Sequence, residues 1–141
     1  MLSVNPYLSF NGTCEAAFNF YKSVFGGEFE ELERYKNIPD MEVPELEKEK
    51  ILHMSLPLTE YVSLMGADSS EAFGQAATFG DAITVTICTA DEAETHRIYN
   101  GLSEGGKITM PLEKTFWADL YGQFTDKFGI PWAINFTKQT K

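Results

Sequence analysis

One order of secondary-structure signals occurs twice in this sequence of 141 residues. Each half contains a strand-like segment, a threonine that can cap a helix, the helix itself, a Gly-Gly pair and further strands. The two threonines, Thr13 and Thr89, lie nearly as far apart as the two glycine pairs, Gly26-Gly27 and Gly105-Gly106. That spacing is too long for a solenoid repeat. It predicts a duplicated β-α-β-β-β module.

The duplication predicts a fold class and a division of the chain. We expect an α+β fold with two β-α-β-β-β modules, at about residues 1–68 and 80–141, within a single domain of residues 1–141. A chain of this length is typical of a single domain and can bury a sizeable core. Two such modules can pair and enclose a cleft between their sheets.

Alternating and helical patterns place the elements of the first module. These are a strand at residues 4–10, a helix from Thr13 to Phe25, a strand to about Lys36, an exposed loop to Glu49, and strands at 51–58 and 61–66. In the first strand, Val4, Leu8 and Phe10 share the apolar face. Thr13 is expected to cap the helix. The apolar stripe of the helix consists of Ala17, Phe20, Tyr21, Val24 and Phe25.

The second module shows the same order. Its elements are a strand at residues 82–88, a helix to about Tyr99 that opens at the capping box Thr89-Ala-Asp-Glu92, a strand from Lys107, and a hairpin of strands 120–125 and 131–136. In the hairpin turn, Asp126 can bond the backbone ahead of it and Gly129 is free to take positive φ. Aromatic residues such as Trp132 and Phe136 either seal a β core, the interpretation we favour, or line a small-molecule pocket.

Charge and composition limit the partners of this chain. It has 21 acidic and 11 basic residues and a net charge of −10. Such a surface repels nucleic acids and anionic membranes, so we expect neither as a partner. No apolar run has the length of a membrane span, and the amino terminus has no basic-then-apolar signal pattern, so we expect a cytoplasmic protein.

Cys14 and Cys88 have no paired spacing and are expected to be reduced and semi-buried.

Three groups of motifs resemble one known family. They are Pro6-Tyr-Leu-Ser-Phe-Asn-Gly12, then Ala16-Ala-Phe-Asn-Phe-Tyr21 with Val24-Phe-Gly-Gly27, and finally Lys114-Thr-Phe-Trp117 with Thr125-Asp-Lys-Phe-Gly-Ile-Pro-Trp132. Together they resemble the PhnB-like branch of the vicinal oxygen chelate superfamily. That superfamily includes glyoxalase I, extradiol dioxygenases, and the fosfomycin and bleomycin resistance proteins. The resemblance extends over the whole chain.

The resemblance implies an open cup built from two modules, usually in a homodimer. Metal-dependent members use His or Glu from four strands, at places that fall here near Asn5, Ser63 or Leu64, Asp81 or Ala82, and Ala133. Only Asp81 is a good hard-metal ligand, and one carboxylate does not make a site, so we expect no tightly bound metal. Some relatives carry methyltransferase names. This chain has no Gly-x-Gly loop at a strand end to hold a nucleoside, so we expect no cofactor.

His53 is the best candidate for proton transfer in this sequence. It lies on the opposite strand face from Leu52, Met54 and Leu56, so it faces either the cup or solvent. A structural histidine is the alternative, because no residue adjacent in sequence orients it. The other histidine, His96, is interpreted as a solvent-facing helix residue.

Hydroxyl and aromatic side chains are the candidates for ligand binding. They are Tyr7, Ser9, Ser55 and Ser63 on the polar faces of strands, and Phe116, Trp117 and Asp119 before the hairpin. Each group also has an ordinary structural interpretation. The hydroxyls can form a plain strand surface, the aromatics can belong to the core or a dimer interface, and the carboxylate can simply be exposed.

Two functions agree with these features. The first is a small-molecule binding protein of the bleomycin-resistance type, which holds an unidentified ligand in an aromatic-lined cleft and does no chemistry. The second is an enzyme, a lyase, isomerase or transferase that works without a strongly held metal and uses His53 with neighbouring hydroxyls. The missing metal ligands favour the first function. A structural or regulatory role is a third alternative.

Overall fold

The computed structural model describes residues 2–70, 74 and 76–138. The chain divides into two compact units, Met1–Thr78 and Phe79–Lys141. The first contains β1 (Tyr7–Phe10), α1 (Cys14–Phe25), β2 (Glu31–Arg34), β3 (Ile51–Pro57) and β4 (Ser63–Asp68), with short 3₁₀ helices at Tyr35–Asn37 and Glu45–Glu47. The second contains β5 (Val85–Thr89), α2 (Glu92–Ser103), β6 (Lys107–Glu113), β7 (Leu120–Thr125) and β8 (Pro131–Phe136). The predicted α+β class and the repeated β-α-β-β-β order are confirmed. The single domain stays a prediction.

In each unit the first strand lies beside the last. The first sheet has the order β1-β4-β3-β2, with β1 parallel to β4 and the other pairs antiparallel. The second sheet repeats this arrangement in the order β5-β8-β7-β6. A parallel pair needs a long crossover, which begins with α1 in one unit and α2 in the other. α1 contacts β3 and β4, and α2 contacts all four strands of its sheet. Each helix therefore covers one face of its own sheet.

The core-facing stripe of α1 is rotated from the predicted one. Phe18 is fully buried, whereas Phe20 and Phe25 are only half-buried. The other three predicted members of the stripe are buried. Gly66 on β4 explains the difference, because a Cβ there would lie 2.7 Å from Cε1 of Phe18. The ring fills the room that this glycine leaves.

Two apolar residues predicted for the core are exposed instead. Val4 precedes β1 and is 77% exposed. Leu52 is 36% exposed, because the β2–β3 register pairs Glu33 with His53 and then Arg34 with Ile51, and passes over Leu52. Such an irregularity breaks the strict alternation of a strand.

A buried carboxylate binds the start of α1. Asp68 is 3% exposed, and its Oδ1 accepts hydrogen bonds from the N–H groups of Gly12 and Cys14, both at 2.9 Å. Its Oδ2 accepts from the N–H group of Ile51 at 2.9 Å. Thr13 holds the N-cap position, but its side chain makes no capping bond. The prediction that Thr13 caps the helix is wrong, because a carboxylate from β4 takes that role.

The predicted hairpin contributes much of the core of the second unit. β7 and β8 have the predicted bounds, Trp132 and Ile134 are fully buried, and Phe136 is 5% exposed. Asp126 is 3% exposed and accepts hydrogen bonds from Trp132 Nε1 and from two backbone N–H groups of the turn. Gly129 has a φ of 98°, as predicted. The hairpin therefore seals a β core, and the pocket-wall interpretation is wrong for these residues.

The helix α2 begins later than the predicted capping box. Asp91 holds the N-cap position, and its Oδ2 accepts a hydrogen bond from the N–H group of Glu94 at 3.2 Å. Thr89 lies at the end of β5, where it pairs with Phe136. The prediction that Thr89 caps the helix is wrong because the β5–β8 ladder extends through Thr89.

The two cysteines are both free, but they differ in exposure. Cys14 is fully buried and Cys88 is exposed, so the expectation of two semi-buried thiols is wrong. Burial raises the pKa of the Cys14 thiol, and the nearby carboxylates of Asp68 and Glu15 raise it further. The thiolate is the nucleophilic form of cysteine. Cys14 is therefore unreactive for two reasons, because it is buried and because its raised pKa keeps it in the thiol form.

A thiol titration with dithionitrobenzoate at pH 8 tests this difference. We expect a single fast-reacting thiol per folded chain, which is Cys88, and a second one only after denaturation. The variant Cys88→Ala is the matched control and should show no fast-reacting thiol while folded. Fast reaction of that variant in native buffer would contradict the burial of Cys14.

Candidate functional site

The open face of the first sheet brings together the predicted site residues of the first module. Tyr7 on β1 and Ser55 on β3 both pair with Met65 on β4, so their side chains share the face that α1 does not cover. Ser9 lies two residues after Tyr7, and His53 lies two residues before Ser55, so alternation places both on this face. Ser63 lies two residues before Met65 on β4, so its side chain is also on this face. The grouping that the sequence predicted within this module is therefore present.

Tyr7 and His53 are in direct contact on this face. The Tyr7 hydroxyl lies 3.2 Å from His53 Nδ1, and the two rings are stacked, with centroids 5.7 Å apart and an interplanar angle of 28°. The His53 side chain is 27% exposed, so a molecule on the open face can reach it. No residue adjacent in sequence orients His53, and the structure supplies Tyr7 for that role.

Glu31 is a second partner of His53 that sequence reasoning missed. Its Oε2 lies 3.6 Å from His53 Nε2. When the Tyr7 hydroxyl donates to Nδ1, the ring proton is on Nε2 and faces this carboxylate. Alternation on β2 could have shown only that Glu31 and Glu33 share one face. The register, which pairs Glu31 with Ser55, places that face beside His53.

The three side chains form an array that can hold and move a proton. Burial raises the pKa of the Tyr7 phenol, and the neighbouring Cys14 and Tyr35 add to the shift. The phenol therefore stays protonated near neutral pH and can donate to His53. A phenol, an imidazole and a carboxylate that contact one another in this order are groups that general acid–base catalysis uses.

A pocket of about 280 Å³ lies beside this array. Its lining includes Asn5, Ser55 and Ser63, and the carboxylates of Glu30, Glu31 and Glu60. None of the described residues that line it is basic. Ser55 is 2% exposed, and within the described part of the chain its hydroxyl has no hydrogen-bond partner. Among the described side chains, the fully enclosed polar atom without a hydrogen-bond partner is Glu47 Oε2, so the Ser55 hydroxyl opens into the pocket, where a bound molecule or water can bond it.

The predicted site residues of the second module lie between β6 and β7. Phe116 is 97% exposed and Trp117 is 49% exposed, and their rings meet edge to face with centroids 4.9 Å apart. With Asp119 they line a pocket of about 200 Å³. The Asp119 carboxylate accepts a hydrogen bond from the N–H group of Lys138, which gives it a structural role. Phe116 and Trp117 are not core residues of this unit.

The positions aligned with metal ligands are divided between the two units. Asn5 Oδ1 accepts a hydrogen bond from the N–H group of Ser63 at 2.8 Å, so these two residues are neighbours. Asp81 is exposed and Ala133 is fully buried. Among the residues that the structure describes, no group of three or more His, Cys, Asp or Glu side chains is placed to hold a metal ion.

Two mixed four-stranded sheets, each with one helix in the order β-α-β-β-β, define the glyoxalase/bleomycin-resistance fold. A glyoxylase/bleomycin resistance protein/dioxygenase domain from Frankia sp. EAN1pec superposes with a TM-score of 0.65 over 98% of this chain and 97% of that chain. The two sequences are 10% identical, so this likeness concerns the fold alone.

The chain belongs to the family described as 3-demethylubiquinone-9 3-methyltransferase, whose model matches residues 3–135. It is 32% identical to Protein YjdN of Escherichia coli (strain K12), over 98% of this chain and 97% of that protein. It is 26% identical to a putative 3-demethylubiquinone-9 3-methyltransferase, PhnB protein, from Bacillus cereus, with a TM-score of 0.77 over 96% and 100% of the two chains. The resemblance to PhnB-like proteins is confirmed.

The family name refers to a methyltransferase, which needs a methyl donor, and the residues of the strand–helix turns do not fit a nucleoside donor. In the first unit, the N–H groups of Gly12 and Cys14 are already bonded to Asp68. In the second unit, Asp91 occupies the start of α2. Neither turn contains a Gly-x-Gly loop. We therefore derive no methyl-transfer step.

The structure also bears on membranes. Within the described ranges, no helix is both long and apolar enough to span a bilayer. The cytoplasmic location and the absence of nucleic-acid partners stay predictions.

Proposed function

We propose that the protein binds a small polar molecule in the pocket on the open face of its first sheet, without a tightly bound metal. The Ser55 hydroxyl carries this proposal, because it is buried, lines the pocket and lacks a protein partner among the described residues. A ligand that bonds this hydroxyl would replace the water that otherwise pairs with it from the pocket. The aromatic pair Phe116 and Trp117 would provide a separate apolar contact surface in the second unit.

Protein-detected NMR with a library of small polar fragments tests this proposal. We expect hits to shift the backbone amide signals of Ser55, Ser63 and Met65. The variant Ser55→Val removes the hydroxyl and narrows the pocket, so it should abolish these shifts. Thr86→Val, at an exposed position on β5, is the matched control and should preserve them. A library without any hit at these amides would contradict the proposed function.

An acid–base enzyme is the second candidate function, and the contact of His53 with Tyr7 and Glu31 favours it. Such an enzyme would take a proton from a carbon acid, as a lyase or isomerase does. A ligand from the screen, incubated with the protein in D₂O, should then exchange its acidic C–H for deuterium. His53→Ala should abolish the exchange, whereas His96→Ala, at an exposed position on α2, should not. Equal exchange in both variants would exclude this role of His53.

We further propose a homodimer, because half-open sheets present apolar faces and strand edges that a partner can cover. Exposed Ile108, Met110 and Phe116 are candidates for such a face. Light scattering at micromolar concentration should give twice the mass of one chain, 15.8 kDa. A clean monomer would contradict this proposal.

We expect less than stoichiometric transition metal, because among the described residues Glu31 is the one carboxylate recorded within 4 Å of the His53 ring nitrogens, and no group of three or more ligands is present there. Tight binding needs three or four ligands within about 2.0–2.3 Å of the ion. Protein purified without a metal-affinity tag should keep its thermal midpoint after dialysis against a chelator, and elemental analysis should find far less than one metal per chain. Stoichiometric metal that is lost in His53→Ala together with stability would overturn this prediction.

A further inference from the structure

The carboxylates around the pocket differ in their pairing from several other glutamates of the first unit, although Glu33 and Glu42, outside the pocket lining, also form no ion pair among the described residues. Glu15 contacts Arg34 at 2.7 Å, Glu28 contacts Lys22 at 3.0 Å and Glu45 contacts Lys48 at 2.8 Å. Glu30 and Glu60 line the pocket, and within the described residues neither has a cationic partner. Among the described side chains, the ion-pair partner of Glu31 is His53, at 3.6 Å. The negative charge at the pocket is therefore largely uncompensated by the protein.

The buried hydroxyl adds an independent indication of a ligand. Ser55 is 2% exposed and lines the same pocket, where a hydroxyl oxygen can accept a hydrogen bond from an N–H donor. Tyr61 contributes an aromatic ring, which attracts cations, and Met65 contributes a flexible apolar side chain, which packs against alkyl groups. The pocket thus combines carboxylates, a free acceptor and some apolar surface, with no basic residue in the described lining.

We infer that the ligand of this pocket is a small organic cation with N–H donors, of the alkylammonium class. This rests on the proposed function, that the pocket binds a small molecule. The ammonium group lies among Glu30, Glu31 and Glu60 and donates to the Ser55 hydroxyl. The alkyl part lies against Tyr61 and Met65. Phosphates and carboxylates are excluded from the pocket, because the three glutamates repel them.

Three probes of equal size and different charge test this inference: butylammonium, 1-butanol and butanoate. At constant ionic strength, butylammonium should shift the amide signals of Ser55, Ser63 and Met65 with a dissociation constant at least about fivefold lower than that of 1-butanol. Butanoate should not shift them. Added sodium chloride should weaken butylammonium binding and leave 1-butanol unchanged, because salt screens charges only.

Variants in which glutamine replaces a glutamate measure how much that carboxylate contributes to butylammonium binding. Glu30→Gln and Glu60→Gln should each weaken butylammonium about two- to fivefold, as expected for exposed ion pairs. Glu104→Gln, an exposed glutamate of the second unit, is the matched control and should bind like the wild type. Thermal midpoints show whether each variant is folded. Unchanged butylammonium binding in the folded double variant Glu30→Gln/Glu60→Gln would overturn the inference.

The outcomes separate the ligand class from the proposed function. If 1-butanol or butanoate shifts the pocket amides as strongly as butylammonium does, the cation class is wrong and the pocket remains a small-molecule site. If none of the three probes shifts them, the cation class is also wrong, and the wider fragment library decides the proposed function. Selective binding of butylammonium that is lost in the double variant supports both.

Discussion

Replacement of Asp68 by alanine is expected to lower the free energy of unfolding by at least about 3 kcal/mol. The carboxylate is buried and accepts hydrogen bonds from the N–H groups of Gly12, Cys14 and Ile51. Each hydrogen bond to a charged group contributes about 1.5–3 kcal/mol, and a buried donor left unpaired is costly. The variant also loses the connection between the start of α1, the start of β3 and the end of β4.

Chemical denaturation of two further variants shows whether the lost hydrogen bonds of Asp68 cause the loss of stability. Asp68→Asn retains the shape and one acceptor oxygen, so its loss of stability should be intermediate. Asp81→Ala removes an exposed carboxylate and should change stability by less than about 0.5 kcal/mol. A loss below about 1 kcal/mol for Asp68→Ala would mean that water replaces the carboxylate at little cost.

Replacement of Trp132 by alanine is expected to cost about 3–5 kcal/mol. The ring is fully buried in the second unit, so its removal leaves a large cavity. The change also leaves Asp126 without its bond from Trp132 Nε1, which is 2.8 Å long. Denaturant titration followed by circular dichroism gives the free energy directly.

The chain contains a matched control in its other tryptophan. Trp117 is 49% exposed, so Trp117→Ala should cost less than about 1 kcal/mol. Trp132→Phe keeps most of the buried ring and removes the N–H donor, so it separates packing from hydrogen bonding. Similar losses for Trp132→Ala and Trp117→Ala would contradict the core position of Trp132.

The sequence predicted the closing hairpin to the residue, because all of its signals are local. Alternation gave the bounds of β7 and β8, and the turn contains an aspartate that binds the backbone ahead of it. Gly129 takes the positive φ that only glycine adopts readily. The order of elements was predictable for the same reason, since each helix and strand has its own period.

Helix caps and core faces were harder to predict because distant residues decide them. The acceptor at the start of α1 comes from Asp68, whose partner Gly12 is 56 positions away. The exposure of Leu52 follows from a register shift between β2 and β3, and a register depends on both strands. Within the site, the shared face of Tyr7 and His53 followed from alternation. The role of Glu31 did not, because it also depends on the β2–β3 register.

The order of strand pairing has a consequence for protein synthesis. All pairings of the first sheet lie between Tyr7 and Asp68, so this sheet can be completed while the second half of the chain is still on the ribosome. Domains generally fold as units, the amino-terminal one first. Within the sheet, β1 pairs with β4, so it cannot pair until β4 has been synthesised. Joining two strands that are so far apart in sequence costs more entropy than closing the β3–β4 hairpin. We therefore expect the polar face that carries Tyr7 and His53 to be completed in the last step of that unit's folding.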